Sequence, residues 1–513
     1  MITVTEKDLV LRDYYQILFN NIDIELSKEV LEKVDNCFTF LSEFSENKVI
    51  YGVNTGLGPM AQYRVEAEDQ KKLQYNLIRS HSAGSGEPLD DIYVKAAMIS
   101  RLKSLSLGYS GIHSSAVKLL VSLINRNIIP FIPEHGGVGA SGDLVQLSHL
   151  ALILIGEGKV FYKGEWKPTK EVFKDEGIEP LKVHLREGLG LINGTSVMSG
   201  IGMVNTIYSK KLLNWSLTAS TMINEIVESF DDHFSVELNS TKRHSGQQRI
   251  AEAMRTALSD SKLIKKRADS LFNGKIEEKI FKQKIQEYYS LRCVPQVLGP
   301  ICDTVSNTEK VLENEINSVN DNPVVDVKTK HVYHGGNFHG DYVSFEMDKL
   351  KIGITKLSML AERQLNFLMN SKLNEILPPF VNLGTLGLNL GLQGTQFTAT
   401  STTAENQTLS NPMYVHSIPN NNDNQDIVSM GTNAALMAKK VINNTFEVLA
   451  VEFLAIIQAI DYLDINGKLS SFTKERYNKL REIVPVFTED SPKYEEINNI
   501  KEYLTNNNPN IIK

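Results

Sequence analysis

Proline is spread along this chain so that three long stretches carry none. No proline lies between Pro180 and Pro295, between Pro323 and Pro378, or between Pro419 and Pro485. A proline inside a helix costs about 3 kcal/mol, because a backbone donor is lost and the ring meets the preceding turn. The gaps therefore permit long helices. The residues inside them agree. "SFEMDKLKIGITKLSMLAERQLNFLMN" spaces Phe345, Leu350, Ile354, Leu357, Leu360 and Leu365 three to five apart, one apolar face of a helix. "VINNTFEVLAVEFLAIIQAIDYL" is apolar on most sides, as a helix inside a bundle is. The expected fold class is mainly α.

Strand signals are few. "KVFYKGEWKP" predicts a short hairpin turning at Lys163-Gly164, and "PVVDVKTKHVYHGG" predicts another. Glycine clusters at 52–58, 84–86 and 136–142 make the N-terminal part the more loop-rich. At 513 residues the chain exceeds what one core serves. The expected layout is a loop-rich N-terminal lobe, 1–200, followed by a long helical bundle, 201–513. "NNNDNQD" at 420–426 reads as a polar loop, and the closing "NNNPNIIK" as a frayed end.

The formal net charge of −7 argues against a general nucleic-acid binder. Three cysteines, Cys37, Cys293 and Cys302, form neither a disulfide framework nor a metal-binding spacing. "MITVTEKDLVLRDYY" has no signal-peptide pattern, and "LVQLSHLALILI" is too short to span a bilayer. A cytoplasmic protein with no membrane or nucleic-acid partner is expected.

The stretch "EHGGVGASGDLVQLSHLALILIGEG", 134–158, plants a glycine-rich loop against an apolar helix. Gly137-Val-Gly139-Ala-Ser-Gly142 matches G-x-G-x-x-G, but Pro130 and Pro133 break the strand that dinucleotide binding needs before it. Around Ser141 the nucleophile-elbow pattern G-x-S-x-G fails at Asp143. A third chemistry uses Ala140-Ser141-Gly142 itself. In a tight turn the Gly142 nitrogen can approach the Ala140 carbonyl carbon, since no Cβ obstructs it. Loss of two waters would leave a 4-methylidene-imidazol-5-one, an electrophile made from the chain alone. An ordinary glycine turn explains the tripeptide equally well until more of the chain is considered.

"GGVGASGDLVQLSHLAL" resembles the signature of the aromatic amino acid ammonia-lyases and related aminomutases. "YGVNTGLGP" (51–59), "NLIRSHSAGSGEPL" (76–89), "INGT" (192–195), "YYSLRCVPQVLGP" (288–300), "NDNP" (320–323), "GGNFHG" (335–340) and "NQDIVSMG" (424–431) resemble further blocks of that family, in family order. The resemblance covers about 45–460 and is nearest to bacterial tyrosine ammonia-lyases, with histidine ammonia-lyases close behind. It implies a homotetramer with active sites built from several subunits. It also implies an electrophile formed autocatalytically from Ala140, Ser141 and Gly142, with no external cofactor, and a small aromatic amino acid as substrate.

The resemblance assigns roles residue by residue. Tyr51 would take the β-proton. A free phenol titrates near ~10, so it needs donors or a positive field to do so at neutral pH. Gly58 would bring the backbone close to the substrate. Arg292 would grip the substrate carboxylate with two prongs, and Asn322 would assist. Tyr289, three residues before Arg292, shares its side of a helical turn and would support the electrophile, with Gln286 one step back. Asn193 would hydrogen-bond the electrophile's carbonyl, Gln425 would position it, and Phe338 would pack on it. Glu405 would face the amine. Gln286, Phe338 and Glu405 read equally well as packing or surface residues.

Selectivity is mixed in the sequence. Ser80-His81 falls on the family's side-chain pair, where histidine enzymes resemble Ser-His, tyrosine enzymes His-Leu and phenylalanine enzymes Phe-Leu. Met413 and Tyr414 stand where histidine enzymes carry a second histidine and a serine. His81 can hydrogen-bond a phenol as well as an imidazole. Leu57 replaces a phenylalanine common among relatives. L-tyrosine giving trans-p-coumarate is the expectation. L-histidine giving urocanate, and a tyrosine 2,3-aminomutase sharing every catalytic residue, are the alternatives.

Overall fold

Each proline-free stretch holds one long helix: Ser196–Ile226, Asp341–Met369 and Gly431–Leu463, of 31, 29 and 33 residues. The computed structural model describes residues 1–46, 48–272, 279–281 and 284–512. Helix dominates them, so the chain is mainly α. A fourth long helix, Val294–Ile316, was not announced by a proline gap. It carries Pro300 in its interior and continues past it.

The amphipathic face expected in the second gap is present, with one exception. Leu350, Ile354, Leu357 and Leu365 are fully buried and Leu360 nearly so, but Phe345 is 50% exposed. Phe345 lies in the helix's first turns, where its ring packs on Tyr414 with centroids 5.1 Å apart.

Both hairpins form. Lys159–Tyr162 pairs antiparallel with Glu165–Pro168, with Tyr162 opposite Glu165. Lys163 (φ 51°) and Gly164 (φ 85°) supply the two left-handed residues that match a tight turn to the strands' twist. Val324–Asp326 pairs with His331–Tyr333, and the Asp326 carboxylate accepts from the Lys328 N–H at 2.9 Å to start the turn.

The chain packs into two compact units. The first comprises 1–207, 308–348 and 412–439, and the second 208–307, 349–411 and 440–513. The expected single division near residue 200 differs from this grouping. Segments beyond 200 join the first unit because their backbone bonds end there. Gly340 N donates to Gly139 O at 3.1 Å and Met430 N to Val138 O at 3.0 Å. Four of the unit boundaries fall inside the four long helices.

In the second unit Trp215 meets Phe453 edge-on at 5.4 Å and Tyr208 meets Phe446 at 6.1 Å. This unit also corrects the expectation of a frayed C-terminal end. Ile511 is 7% exposed, Ile512 N donates to Asn214 Oδ1 at 2.9 Å, and Trp215 Nε1 donates to Asn507 O at 3.1 Å. Ile511 is buried and Ile512 is half-buried, which the asparagines around them conceal in the sequence.

Candidate active site

The Ala140-Ser141-Gly142 turn is closed at both ends by glycines with positive φ, Gly139 at +75° and Gly142 at +70°. A Cβ at Gly142 would lie 1.9 Å from the Gly194 carbonyl oxygen, so no other residue fits without moving the backbone. Asp143 N donates to that same oxygen at 2.8 Å. At the other end Gly139 O accepts from Gly340 N at 3.1 Å and from Ser429 Oγ at 3.0 Å. Residues from three distant parts of the sequence thus hold the turn.

Asp143 anchors it further. Its carboxylate is fully buried and accepts from Val197 N (2.8 Å) and Met198 N (2.9 Å), in the first turn of the Ser196–Ile226 helix, and from Thr432 Oγ1 (2.5 Å). It does for that helix what a capping side chain does, from across the fold. Burial pushes its pKa up to about 6, against the opposing pull of Thr432, the two N–H groups and the Arg101 guanidinium.

Two side-chain amides converge on Ser141. Asn193, 3% exposed at the end of the helix Glu187–Ile192, donates from Nδ2 to Ser141 O at 2.9 Å. Its Oδ1 accepts from Asn322 N at 2.8 Å, which fixes the amide's orientation. Asn322 Oδ1 in turn accepts from Gly335 N at 2.8 Å. Gln425 donates from Nε2 to Ser141 Oγ at 3.0 Å.

Ser141 opens into a cavity of about 780 Å³, whose wall includes Tyr51, Gly58, His81, Asn193, Asn322, Phe338 and Gln425. Gly58, at φ +55°, donates its N–H to Tyr51 Oη at 3.0 Å. His81 ends the helix Gln70–His81, with Nδ1 3.0 Å from Leu77 O and 3.1 Å from Ser80 Oγ. A carbonyl only accepts, so Nδ1 carries the hydrogen and in the neutral ring Nε2 is an acceptor. Leu57, Leu73, Leu77, Leu144 and Leu189 supply apolar wall. Among the described residues this wall contains no Lys, Arg, Asp or Glu.

The remaining expected residues lie in the second unit. Tyr289–Arg292 forms a single helical turn, as their spacing predicts. The Arg292 guanidinium lies 4.7 Å from the Tyr289 ring centre and donates to the Gln286 side-chain oxygen. Tyr289 is 72% exposed. Glu405, on the helix Gln393–Leu409, accepts from Asn444 Nδ2 at 2.5 Å and lies 3.8 Å from Lys440 Nζ. None of these lines the cavity. Neither do Met413 and Tyr414. Tyr414 N donates to Asp348 Oδ2 at 2.7 Å, and its ring rests on Phe345.

Among the cavity residues that sequence reasoning missed are three asparagines, Asn76, Asn421 and Asn424. Asn76 opens the quoted "NLIRSH" block, and that was its signal. Asn421, Asn422 and Asp423 are three successive left-handed residues, at φ 55°, 52° and 57°. The run of Asn and Asp, the non-glycine residues that best tolerate this conformation, was the signal there. Asn421 Nδ2 sits where a Cβ on Gly58 would be 3.0 Å away, so the polar loop reaches the Tyr51 contact.

Comparison with known proteins agrees with the motifs. Residues 9–482 match the family described as aromatic amino acid lyase. The chain is 37% identical over 511 residues to the tyrosine 2,3-aminomutase of Chondromyces crocatus, covering 98% of this chain and 96% of the relative. It is 36% identical over 505 residues to the histidine ammonia-lyase of Bacillus subtilis strain 168, covering 98% and 96%. The solved phenylalanine aminomutase of Pantoea agglomerans superposes with a TM-score of 0.94 at 35% identity, covering 98% of this chain and 99% of that one. A turn of unsubstitutable glycines around one serine, amides aimed at that serine, and a match along nearly the whole length lead to one conclusion: the chain belongs to the aromatic amino acid lyase family, enzymes that act on carbon–nitrogen bonds.

Proposed function

We propose that the protein eliminates ammonia from L-tyrosine to give trans-p-coumarate, at a site built on an electrophile formed from Ala140, Ser141 and Gly142. The observation that carries the substrate is His81. Its Nε2 is an acceptor on a wall that also carries Leu57, Leu73, Leu77, Leu144 and Leu189, which suits a phenol at the end of a benzene ring. Phenylalanine would leave that acceptor unpaired in a desolvated pocket, a mismatch that can cost ~10⁴ in discrimination.

The residues present fit the electrophile. Condensation would retain the Ser141 carbonyl as the ring carbonyl, and Asn193 already donates to it at 2.9 Å. Gly142 has the bare, left-handed backbone that ring closure needs. When formed, the 4-methylidene-imidazol-5-one supplies an electrophilic carbon that draws on the substrate amine and makes it a better leaving group. Tyr51 takes the β-proton, and the Gly58 N–H is the donor a phenolate oxygen needs.

A zwitterionic amino acid needs a cation for its carboxylate, and among the described residues the cavity wall offers none. We therefore assign that grip to Arg292 of a partner subunit, with Tyr289 beside it, in a homotetramer with shared sites. Tyr289 stands exposed on its turn, and the guanidinium carries more donors than Gln286 occupies. Three free cysteines suit a reducing compartment, so we place the protein in the cytoplasm. Among the described residues no helix is long and apolar enough to cross a membrane.

A second reading is favoured by the Chondromyces crocatus relative: a tyrosine 2,3-aminomutase, in which ammonia is returned to the β-carbon. Incubation with L-tyrosine and with L-histidine, followed by ultraviolet spectroscopy and chromatography, separates the readings. Coumarate absorbs at longer wavelength than urocanate. β-Tyrosine as the main product selects the aminomutase, and faster turnover of histidine overturns tyrosine as the substrate. His81→Phe should shift preference toward phenylalanine, and an unchanged tyrosine-to-phenylalanine ratio contradicts the role of His81.

A further inference from the structure

We infer that Gln74 is a positioning residue for proton abstraction, one buried amide that sets the Tyr51 loop in register with the helix that delivers Asn193. The inference rests on the reading of Tyr51 as the base. Gln74 lies on the helix Gln70–His81 and is 1% exposed. It does not line the cavity, so it acts only through other residues. Its Nε2 donates to Gly52 O at 3.1 Å, and its Oε1 accepts from Leu189 N at 3.1 Å. Turning the amide over would set oxygen against oxygen and N–H against N–H, so one orientation is locked.

The backbones around it leave no slack. A Cβ on Gly188 would lie 2.6 Å from Gln74 O, and a Cβ on Gly52 would lie 2.3 Å from Leu189 Cδ2. Gly52 is left-handed at φ +71°. Three elements therefore meet at Gln74, and each carries a cavity residue. Tyr51 immediately precedes Gly52. His81 is two helical turns beyond Gln74. Asn193 N donates to Leu189 O at 3.0 Å, and Asn193 Nδ2 reaches Ser141 O. The result is a line of hydrogen bonds: Gly52 to Gln74, Gln74 to Leu189, Leu189 to Asn193, Asn193 to Ser141. Proton transfer from carbon tolerates little error in the base's placement. A displacement of about 1 Å can cost ~10²-fold in rate.

The test is a pair of variants, read with ordinary and β,β-dideuterated L-tyrosine. Gln74→Met removes both hydrogen bonds at similar size. Gln74→Glu keeps the acceptor for Leu189 N and sets an oxygen against Gly52 O. In both, kcat should fall roughly ten- to a hundredfold with KM within about twofold. The deuterium isotope effect on kcat/KM should rise, because proton removal becomes slower relative to the other steps. Intact mass should still show the loss of two waters. A structural defect that merely shrinks the active fraction lowers kcat and leaves the isotope effect unchanged. That result, or an unchanged kcat, overturns the inference. If Gln74→Met does not fold, Gln74→Glu alone decides. Tyr51→Phe separates the two readings. Near-normal turnover there removes the base assignment itself, whereas an inactive Tyr51→Phe beside Gln74 variants with an unaltered isotope effect removes only the role of Gln74.

Discussion

The side chains that touch Ser141 are neutral amides and tied down, whereas Arg292 is charged and its neighbours are turned to solvent. Asn193 is held at both ends of its amide, and the glycine turn is fastened by backbone from residues 194, 340 and 430 and by the Ser429 hydroxyl. Arg292 has the exposed Gln286 and Tyr289 for neighbours. The first arrangement suits a group that must lie still, because a preorganised dipole costs no reorganisation during reaction. The second suits a group that must meet a carboxylate, because a guanidinium already saturated by protein could not grip one.

The largest expected effect comes from the tied region. Ser141→Ala should lower turnover by roughly 10³-fold or more, since the electrophile cannot form. The fold should survive, as one hydroxyl contributes about 1 kcal/mol or less. Intact mass should match the sequence without loss of water, and borohydride, which should inactivate the native protein, should do nothing further. An active variant would remove Ser141 from the chemistry.

A smaller effect is expected from the open region. Arg292→Lys should raise KM roughly tenfold with a lesser change in kcat, because a point charge cannot replace a two-pronged grip. Co-expression of Ser141→Ala with Arg292→Ala sharpens the comparison. If the two regions come from different subunits, mixed oligomers contain some sites with both native residues and regain activity. No recovery, or full activity in a sedimenting monomer, would place both regions in one chain.

The smallest effect contrasts two buried carboxyls. Asp143 is met by two N–H groups and a hydroxyl, while both oxygens of fully buried Glu452 lack a hydrogen-bond partner among the described residues. Burial alone raises the Glu452 pKa well above its ordinary 4.5. The folded state then holds a proton that the unfolded state releases above that value. Stability from this group is therefore full below about pH 4.5 and falls as pH rises toward the folded pKa. Glu452→Gln should remove that slope, raising Tm by roughly a few degrees at pH 8 and little at pH 4. Equal shifts at both pH values would show that Glu452 is not held neutral.

What the sequence determined by itself are the features in which a residue constrains its own backbone. Prolines marked where the three longest helices run, because a missing N–H and a fixed φ act on the spot. Lys163-Gly164 set a hairpin turn, and glycine marked the turn around Ser141. The motif blocks also pointed to Tyr51, His81, Asn193, Asn322 and Gln425, which the fold gathers around one cavity. Tertiary structure decided the rest. Phe345 continues the apolar face in sequence yet stays half-exposed, and the asparagine-rich tail hides an anchored Ile511. Segments 308–348 and 412–439 join the first unit through backbone bonds to the glycine turn, which composition does not foretell. Asp143 as a cap across the fold, Asn421 against Gly58, and Gln74 between Gly52 and Leu189 each depend on partners 22 to more than 300 residues away. A hydrogen bond forms only where packing brings donor and acceptor within about 3 Å at a fitting angle. That condition belongs to the whole fold, and no local pattern of residues encodes it.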